Sequence, residues 1–194
     1  METIDLNALK NRAYKNACEH GFHDVEWSNE HFLMLIITEL SEAVQADRKG
    51  DYCSNKISST ERYNLFPTEE SRFKKEFNAF IKDTVEDELA DVVIRCLDLA
   101  GLRGLETCIS DAEIADACAS CTEESFTKSV YGIVDAIIYI RSYNGENSRL
   151  GFCVRNCLIN VYGLAKHIGI DLDWQIEQKM KYNELRPAMH GKRY

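Results

Sequence analysis

Proline is nearly absent, with Pro67 and Pro187 the only two in 194 residues. A chain so poor in proline keeps its backbone donors and can build long uninterrupted helices. Long apolar runs are missing too. The longest near the start, Phe32 to Ile37, falls far short of the roughly 20 residues a spanning helix needs, so no membrane partner is expected. Residues Met1 to Lys15 are polar and carry no apolar h-region of a secretion signal, and a cytoplasmic location is the expectation. Positive charge is in deficit, 23 Lys and Arg against 32 Asp and Glu, a net charge of −9. That balance disfavours a nucleic-acid polymer, whose non-specific binding depends on basic side chains neutralising phosphates. A free nucleotide stays compatible, because a bound cation reverses the local sign of an acidic site. Strand-like alternation is scarce, and no repeat of fixed period occurs.

What remains is globular composition, 45% hydrophobic and 28% charged, with length for one core and about one domain. Apolar residues recur at three- and four-residue spacing, which predicts an all-α helical bundle of five to seven helices with little or no sheet. A first amphipathic helix is expected over 3–19. A second starts at a Ser28 or Asn29 cap and stops at Gly50. Residues 51–67 read as a long polar loop. Pro67-Thr68-Glu69-Glu70 suits a third helix start, running to Lys82 and then continuing or restarting to about Ala100, with Gly101 and Gly104 ending it. Ser110 and Glu113 fit a capping box, and Thr122 another cap. Further helices are expected over 125–142, 148–168 and 172–184, with a turn at Asn144-Gly145.

Eight cysteines are present. Cys118 and Cys121 form a CxxC, and Cys153 and Cys157 lie four apart. Four thiolates could hold zinc, but the pairs lack a glycine-rich knuckle, and unpaired thiols are the preferred reading.

The features that carry chemistry are two acidic pairs: Glu39-Leu40-Ser41-Glu42 in the apolar stretch 32–44, and Glu88-Leu89-Ala90-Asp91 in the stretch 85–99. A spacing of three places both carboxylates of each pair on one helix face. Each pair alone has a structural explanation, through ion pairs to Arg48 or Lys49 and to Lys82 or Arg95. Four acids among so many apolar side chains are harder to explain that way, since buried like charges repel unless a positive charge lies between them. A hard divalent cation fits, and the all-oxygen set favours magnesium or manganese over iron or zinc. A carboxylate-bridged di-iron bundle needs Glu-x-x-His on two helices, and no histidine here follows a glutamate at that spacing. Glu113-Ile114-Ala115-Asp116 repeats the acidic pattern, but the capping box accounts for Glu113. Asp83, Glu86 and Asp87 are expected to face solvent, with Glu86 a candidate for the outer shell of the acid site. Trp27 reads equally as a base-stacking surface or a core aromatic, and Phe22 and His23 are weaker versions of the same idea.

These motifs resemble those of the MazG-like, all-α nucleotide pyrophosphohydrolases, which carry ExxE on one helix and ExxD on the next. The likeness extends through Leu33 to Ala43, through Asp47-Arg48-Lys49-Gly50, and through Lys179 to Pro187 followed by His190-Gly191-Lys192. It covers about 20–101 and 150–194. It implies a single domain over 1–194 with insertions at about 51–67 and 102–149, and assembly as a homodimer or homotetramer. It also implies magnesium-dependent hydrolysis of a nucleoside triphosphate to the monophosphate and pyrophosphate. Glu39, Glu42, Glu88 and Asp91 would then be metal ligands, with Glu42 or Glu39 activating water. Lys179, Asn183 and Arg186 would contact substrate. The competing class is a helical binding or scaffold protein that keeps the fold without the chemistry.

Overall fold

The computed structural model describes residues 3–4, 6–58, 69–121, 125–139 and 147–191. Among them the architecture is all-α. The helices are α1 (Asn7–Glu19), α2 (Asn29–Lys49), the single turn α3 (Cys53–Lys56), α4 (Glu70–Phe80) and α5 (Val85–Arg103). They continue as α6 (Asp111–Ser120), α7 (Phe126–Tyr139), α8 (Asn147–His167) and α9 (Leu172–Glu184), followed by a 3-10 turn (Ala188–Gly191). Among the described residues, strand is confined to one antiparallel pairing of β1 (Thr3–Ile4) with β2 (Ile109–Ser110), in register Thr3 with Ser110 and Ile4 with Ile109.

α5 is the hub. It packs on α1, α2, α8 and α9, and Leu89, Val92, Val93, Leu97 and Leu99 are fully buried. Apolar residues on nearly every side of a helix require neighbours on nearly every side. α2 runs antiparallel to it: Arg95 reaches Glu39, while Arg103 reaches Asn29 and the Trp27 carbonyl one end further on. A smaller cluster of Cys53, Ile57, Phe73, Phe77 and Ile81 lies under α3 and α4, with Trp174 and Tyr182 of α9 against it.

Several boundaries differ from expectation for identifiable reasons. The first helix begins at Asn7, because residues 3–4 pair with β2 instead. The loop after α2 contains α3, whose first amides are held by the Glu86 carboxylate: Cys53 N–H donates to Oε2 at 2.7 Å and Ser54 N–H to Oε1 at 3.1 Å. α4 stops at Phe80 and the chain restarts as α5. Asp83 sits at φ 61, and the Thr84 hydroxyl caps the new helix by accepting from Asp87 N–H. Gly101 does not end α5. It lies inside the helix where α1 passes closely, and a Cβ there would stand 2.5 Å from Tyr14 Cβ. Gly104, at φ 63, makes the stop, as Gly50 does for α2 at φ 72. The Ser28 cap, the Ser110–Glu113 capping box and the span of α9 follow expectation. The Thr122 cap and the Asn144-Gly145 turn fall outside the described residues.

Ile114, Val130, Ile133 and Ile137 of α6 and α7 belong to the same core as α2 and α5. No described helix is long and apolar enough to cross a membrane. The cysteines are free thiols. Cys118 and Cys121 are half-buried, whereas Cys153 and Cys157 are buried, where Cys157 hydrogen-bonds Cys96.

Candidate functional site

The site is built from the facing surfaces of α2 and α5. One carboxylate oxygen each from Glu39, Glu42 and Glu88 lies within 4.8 Å of the others, and Glu88 is also grouped with Asp83 and Asp87 at the same limit. Glu39 and Glu88 are buried and Glu42 is exposed, so the cluster opens to solvent on the Glu42 side. Glu39 Oε1 accepts from Arg95 Nε at 3.0 Å. That pairing links the two helices directly, in place of the Arg48 or Lys49 partners considered from sequence.

Asp91 turns to the other side. Its Oδ2 lies 2.8 Å from the Lys179 ammonium, which also stands 2.8 Å from Asp87 Oδ1. Lys179 is thus an internal counter-ion, 5% exposed, rather than a side chain displayed to solvent. Burial alone would lower its pKa, but the attraction of Asp87 and Asp91 outweighs that and holds it raised.

The expectation that Glu86 and Asp87 face solvent is wrong: both are buried, and Asp83 is exposed. Three features permit this burial. The first turn of a helix carries a partial positive charge that favours acids. Glu86 is satisfied by the α3 amides, so it serves as the anchor of that turn and not as an outer member of the acid cluster. Asp87 accepts from Asp83 N–H at 3.1 Å and faces Lys179. Helical periodicity could have revealed Asp87, which lies four residues before Asp91 on the same face. Nothing local marks Glu86, since its partners lie far away in sequence.

Crowding of like charge is the defining electrostatic property. Burial, followed by Asp87, Asp91 and Glu42 and opposed by Lys179, pushes the Glu88 carboxyl up from 4.5 to about 9. Burial likewise pushes Asp87 up to about 6 against the pull of Lys179. A carboxyl that prefers to be neutral at pH 7 because it is buried, and buried among acids, is one that a cation would return to its charged form. With three carboxylate oxygens converging from two rigid helices, the donor set fits a hard divalent ion held by Glu39, Glu42 and Glu88; Asp91 is outside that grouping and pairs with Lys179. Among the described residues, the groupings compatible with a metal consist of carboxylates.

The C-terminal residues lie beside this cluster. Gln175, Lys179 and Asn183, spaced at four residues, form a buried polar line on α9. Asn183 borders a cavity between α1, α5 and α9 that Asp91, Arg95 and Arg186 also line. The Arg186 carbonyl contacts His20 Nε2 at 3.0 Å, and its guanidinium carbon lies 5.9 Å from the centre of the Tyr182 ring. Trp27 is elsewhere. It stacks on His31, centroids 4.4 Å apart, packs against the core and borders a separate recess with Arg103. Asn29, the first residue of α2, already stands about 15 Å along the helix from Glu39, at ~1.5 Å per residue, and Trp27 precedes it. His23 is engaged with Asp98 at 2.7 Å, whereas Phe22 lines the cavity.

Comparison with known protein families, with curated proteins and with solved structures finds no match to this chain.

Proposed function

We propose that the protein is a magnesium-dependent nucleotide pyrophosphohydrolase, cleaving a ribo- or deoxyribonucleoside triphosphate to the monophosphate and pyrophosphate. Manganese is the alternative ion, and clearing unwanted nucleotides is the corresponding role. The observation that carries this reading is the convergence of Glu39 and Glu42 with Glu88 across two helices, beside a buried lysine and a polar cavity. The order and spacing of the ExxE, ExxD and C-terminal Lys-Asn-Arg motifs in the sequence agree with it.

Each residue then has a task that its position allows. Glu39, Glu42 and Glu88 would hold the ion, while Asp91, the fourth acid of the sequence pattern, stays paired with Lys179. When bound, magnesium neutralises phosphate charge and lowers the pKa of water. Glu42 is exposed and has no ion-pair partner among the described residues, so it is the better placed of the two glutamates to take a proton from attacking water. Glu39 is oriented by Arg95. Water adds to one of the two phosphorus atoms of the α–β bridge, the bridging P–O bond breaks, and monophosphate and pyrophosphate separate as the proton of the water passes to the carboxylate. Lys179 holds Asp87 and Asp91 together, and so positions the acid cluster from behind. Asn183 and Arg186 face the cavity, where sugar or base would lie. A homodimer or homotetramer is proposed on the resemblance alone.

The test is pyrophosphate release from a panel of ribo- and deoxyribonucleoside triphosphates with magnesium. Turnover of one or a few, reduced at least ~100-fold by Glu39→Ala and abolished by EDTA, is the expected result. Absence of turnover with every nucleotide, or activity that survives Glu39→Ala, would leave a helical binding protein as the better account.

A further inference from the structure

We infer that Arg95 is a phosphate-binding residue held in reserve: it neutralises Glu39 while no divalent ion is bound, and passes to the phosphate chain of the substrate once Glu39 is given over to the ion. The inference rests on the nucleotide reading above and deepens it, by naming the side chain that meets the phosphates.

A triphosphate needs positive charge beyond that of one ion, and the lysine picked out by the sequence pattern does not supply it. Lys179 is buried and is spent on Asp87 and Asp91. Arg95 touches the acid cluster itself, its Nε donating to Glu39 Oε1 at 3.0 Å. It stands seven residues after Glu88 on α5, which sets both on one face of the helix. Its side chain is 21% exposed, and its two terminal nitrogens have no hydrogen-bond partner among the described residues. Asp91 and Asp98 line the same small cavity as Arg95, but they are paired with Lys179 and His23. A guanidinium presents its donors in a planar fork that matches two phosphate oxygens at once, and the terminal NH2 groups of Arg95 remain for that task.

The acids give the reason for Arg95 to move. Glu88 is more than nine-tenths buried, accepts no hydrogen bond among the described residues, and converges with Glu39 and Glu42. A buried carboxylate without a partner calls for positive charge, and Arg95 is engaged with Glu39, not with Glu88. An ion held by Glu39, Glu42 and Glu88 would share Glu39 with the guanidinium, and two positive charges drawn to one carboxylate repel. Arg95 is thereby weakened as a partner of Glu39 in the loaded protein, and phosphates arriving at the ion offer it a better one. Arg95 therefore lowers the affinity of the site for the bare ion and raises the affinity of the loaded site for a phosphate chain.

Two affinities that move in opposite directions test this. Manganese ion is titrated without nucleotide and followed by loss of the free-ion electron paramagnetic resonance signal. Inorganic tripolyphosphate, which carries no base, is then titrated calorimetrically into protein saturated with manganese. Arg95→Met, checked for wild-type helicity, should bind manganese at least about fivefold more tightly and tripolyphosphate at least about tenfold more weakly. Arg95→Lys, which keeps the charge without the fork, should stay within about threefold of wild type for manganese. A guanidinium that only ties α2 to α5 and orients Glu39 would weaken ion binding when removed, which is the opposite sign. Unchanged or weaker manganese binding by Arg95→Met, an unchanged tripolyphosphate affinity, or a wild-type protein that takes up manganese and no tripolyphosphate would each overturn the inference. Should Arg95→Met fail to fold, Arg95→Gln takes its place. Absence of manganese binding in wild type and variant alike removes the metal site and this inference together. Manganese binding indifferent to Arg95 removes the inference alone, and pyrophosphate release then judges the reaction.

Discussion

Glu88→Gln should make the protein more stable in the absence of divalent ions, although it removes a central member of the site. Glu88 is 5% exposed and its carboxyl is pushed from 4.5 to about 9. A raised carboxyl pKa means that the folded state binds a proton more tightly than the unfolded chain does. The stability this proton confers is therefore complete below pH 4.5, declines through the interval to about 9, and is gone above it. The slope approaches ~1.4 kcal/mol per pH unit, so at pH 7 the wild-type protein has given up about 3 kcal/mol relative to its acid-side value. Glutamine mimics the neutral carboxyl and does not titrate. The variant should exceed the wild type by about 2–3 kcal/mol at pH 7, and by more at pH 9, with a shallower pH slope. Asp87, raised in the same direction, contributes a residual slope below about pH 6 in both proteins. Urea unfolding followed by far-ultraviolet circular dichroism, at pH 5, 7 and 9 in EDTA, measures all of this. Adding magnesium should then stabilise the wild type and leave Glu88→Gln unaffected. A variant less stable than wild type at pH 7, or equal pH slopes for the two proteins, would refute the crowding argument.

Three further substitutions probe the surroundings of the site. Lys179→Met strands Asp87 and Asp91 beside each other, and should cost about 3–5 kcal/mol in urea unfolding; adding Asp87→Asn should restore most of it, and a loss under ~1 kcal/mol would show that the lysine is not the counter-charge. Gln175 is wholly buried and neither of its amide atoms has a partner among the described residues, so Gln175→Leu should stabilise by about 1–2 kcal/mol, with a destabilised variant arguing for an internal hydrogen-bond partner. Gly163→Ala would place a methyl 2.5 Å from Ala117 Cβ and 2.9 Å from the Ala117 carbonyl carbon, pushing α6 from α8. The melting temperature should fall by several degrees for the ~1–3 kcal/mol expected of overpacking, and an unchanged value would mean the two helices part freely.

Periodicity and capping chemistry made most of the fold legible. Ser28, Gly50, Gly104 and Ser110 mark helix ends through local hydrogen bonds or backbone conformation, and such cues are written within a few residues of where they act. The misses involve partners distant in sequence. Thr3 and Ile4 leave the helical pattern to pair with residues 109–110, and Gly101 reads as a helix end because its contact with Tyr14 is tertiary. The acidic pairs were visible as i, i+3 spacing within apolar stretches. Their buried reinforcements were not, because acids in the first turn of a helix read by default as a solvated face. Only the fold shows that Glu86 clasps α3 and that Asp87 meets a lysine from α9. The sequence pattern marks Lys179 as a substrate contact, whereas the fold pairs it with Asp87 and Asp91, since sequence pattern does not reveal which way a long side chain points.

Lys179 arrives late in synthesis. A ribosome delivers α2 and α5 well before it delivers α9, so a growing chain holds every acid of the cluster before it holds their counter-charge. Carboxylates without a partner stay hydrated or take up protons instead of entering an apolar interior. The first two-thirds of the chain is thereby kept from closing on itself around Asp87. α9 brings the ammonium that permits closure, and with it Asn183 of the cavity wall. Synthesis of α9 and assembly of the site are in this way made one event, and a fragment broken off before α9 inherits the acids without the means to bury them.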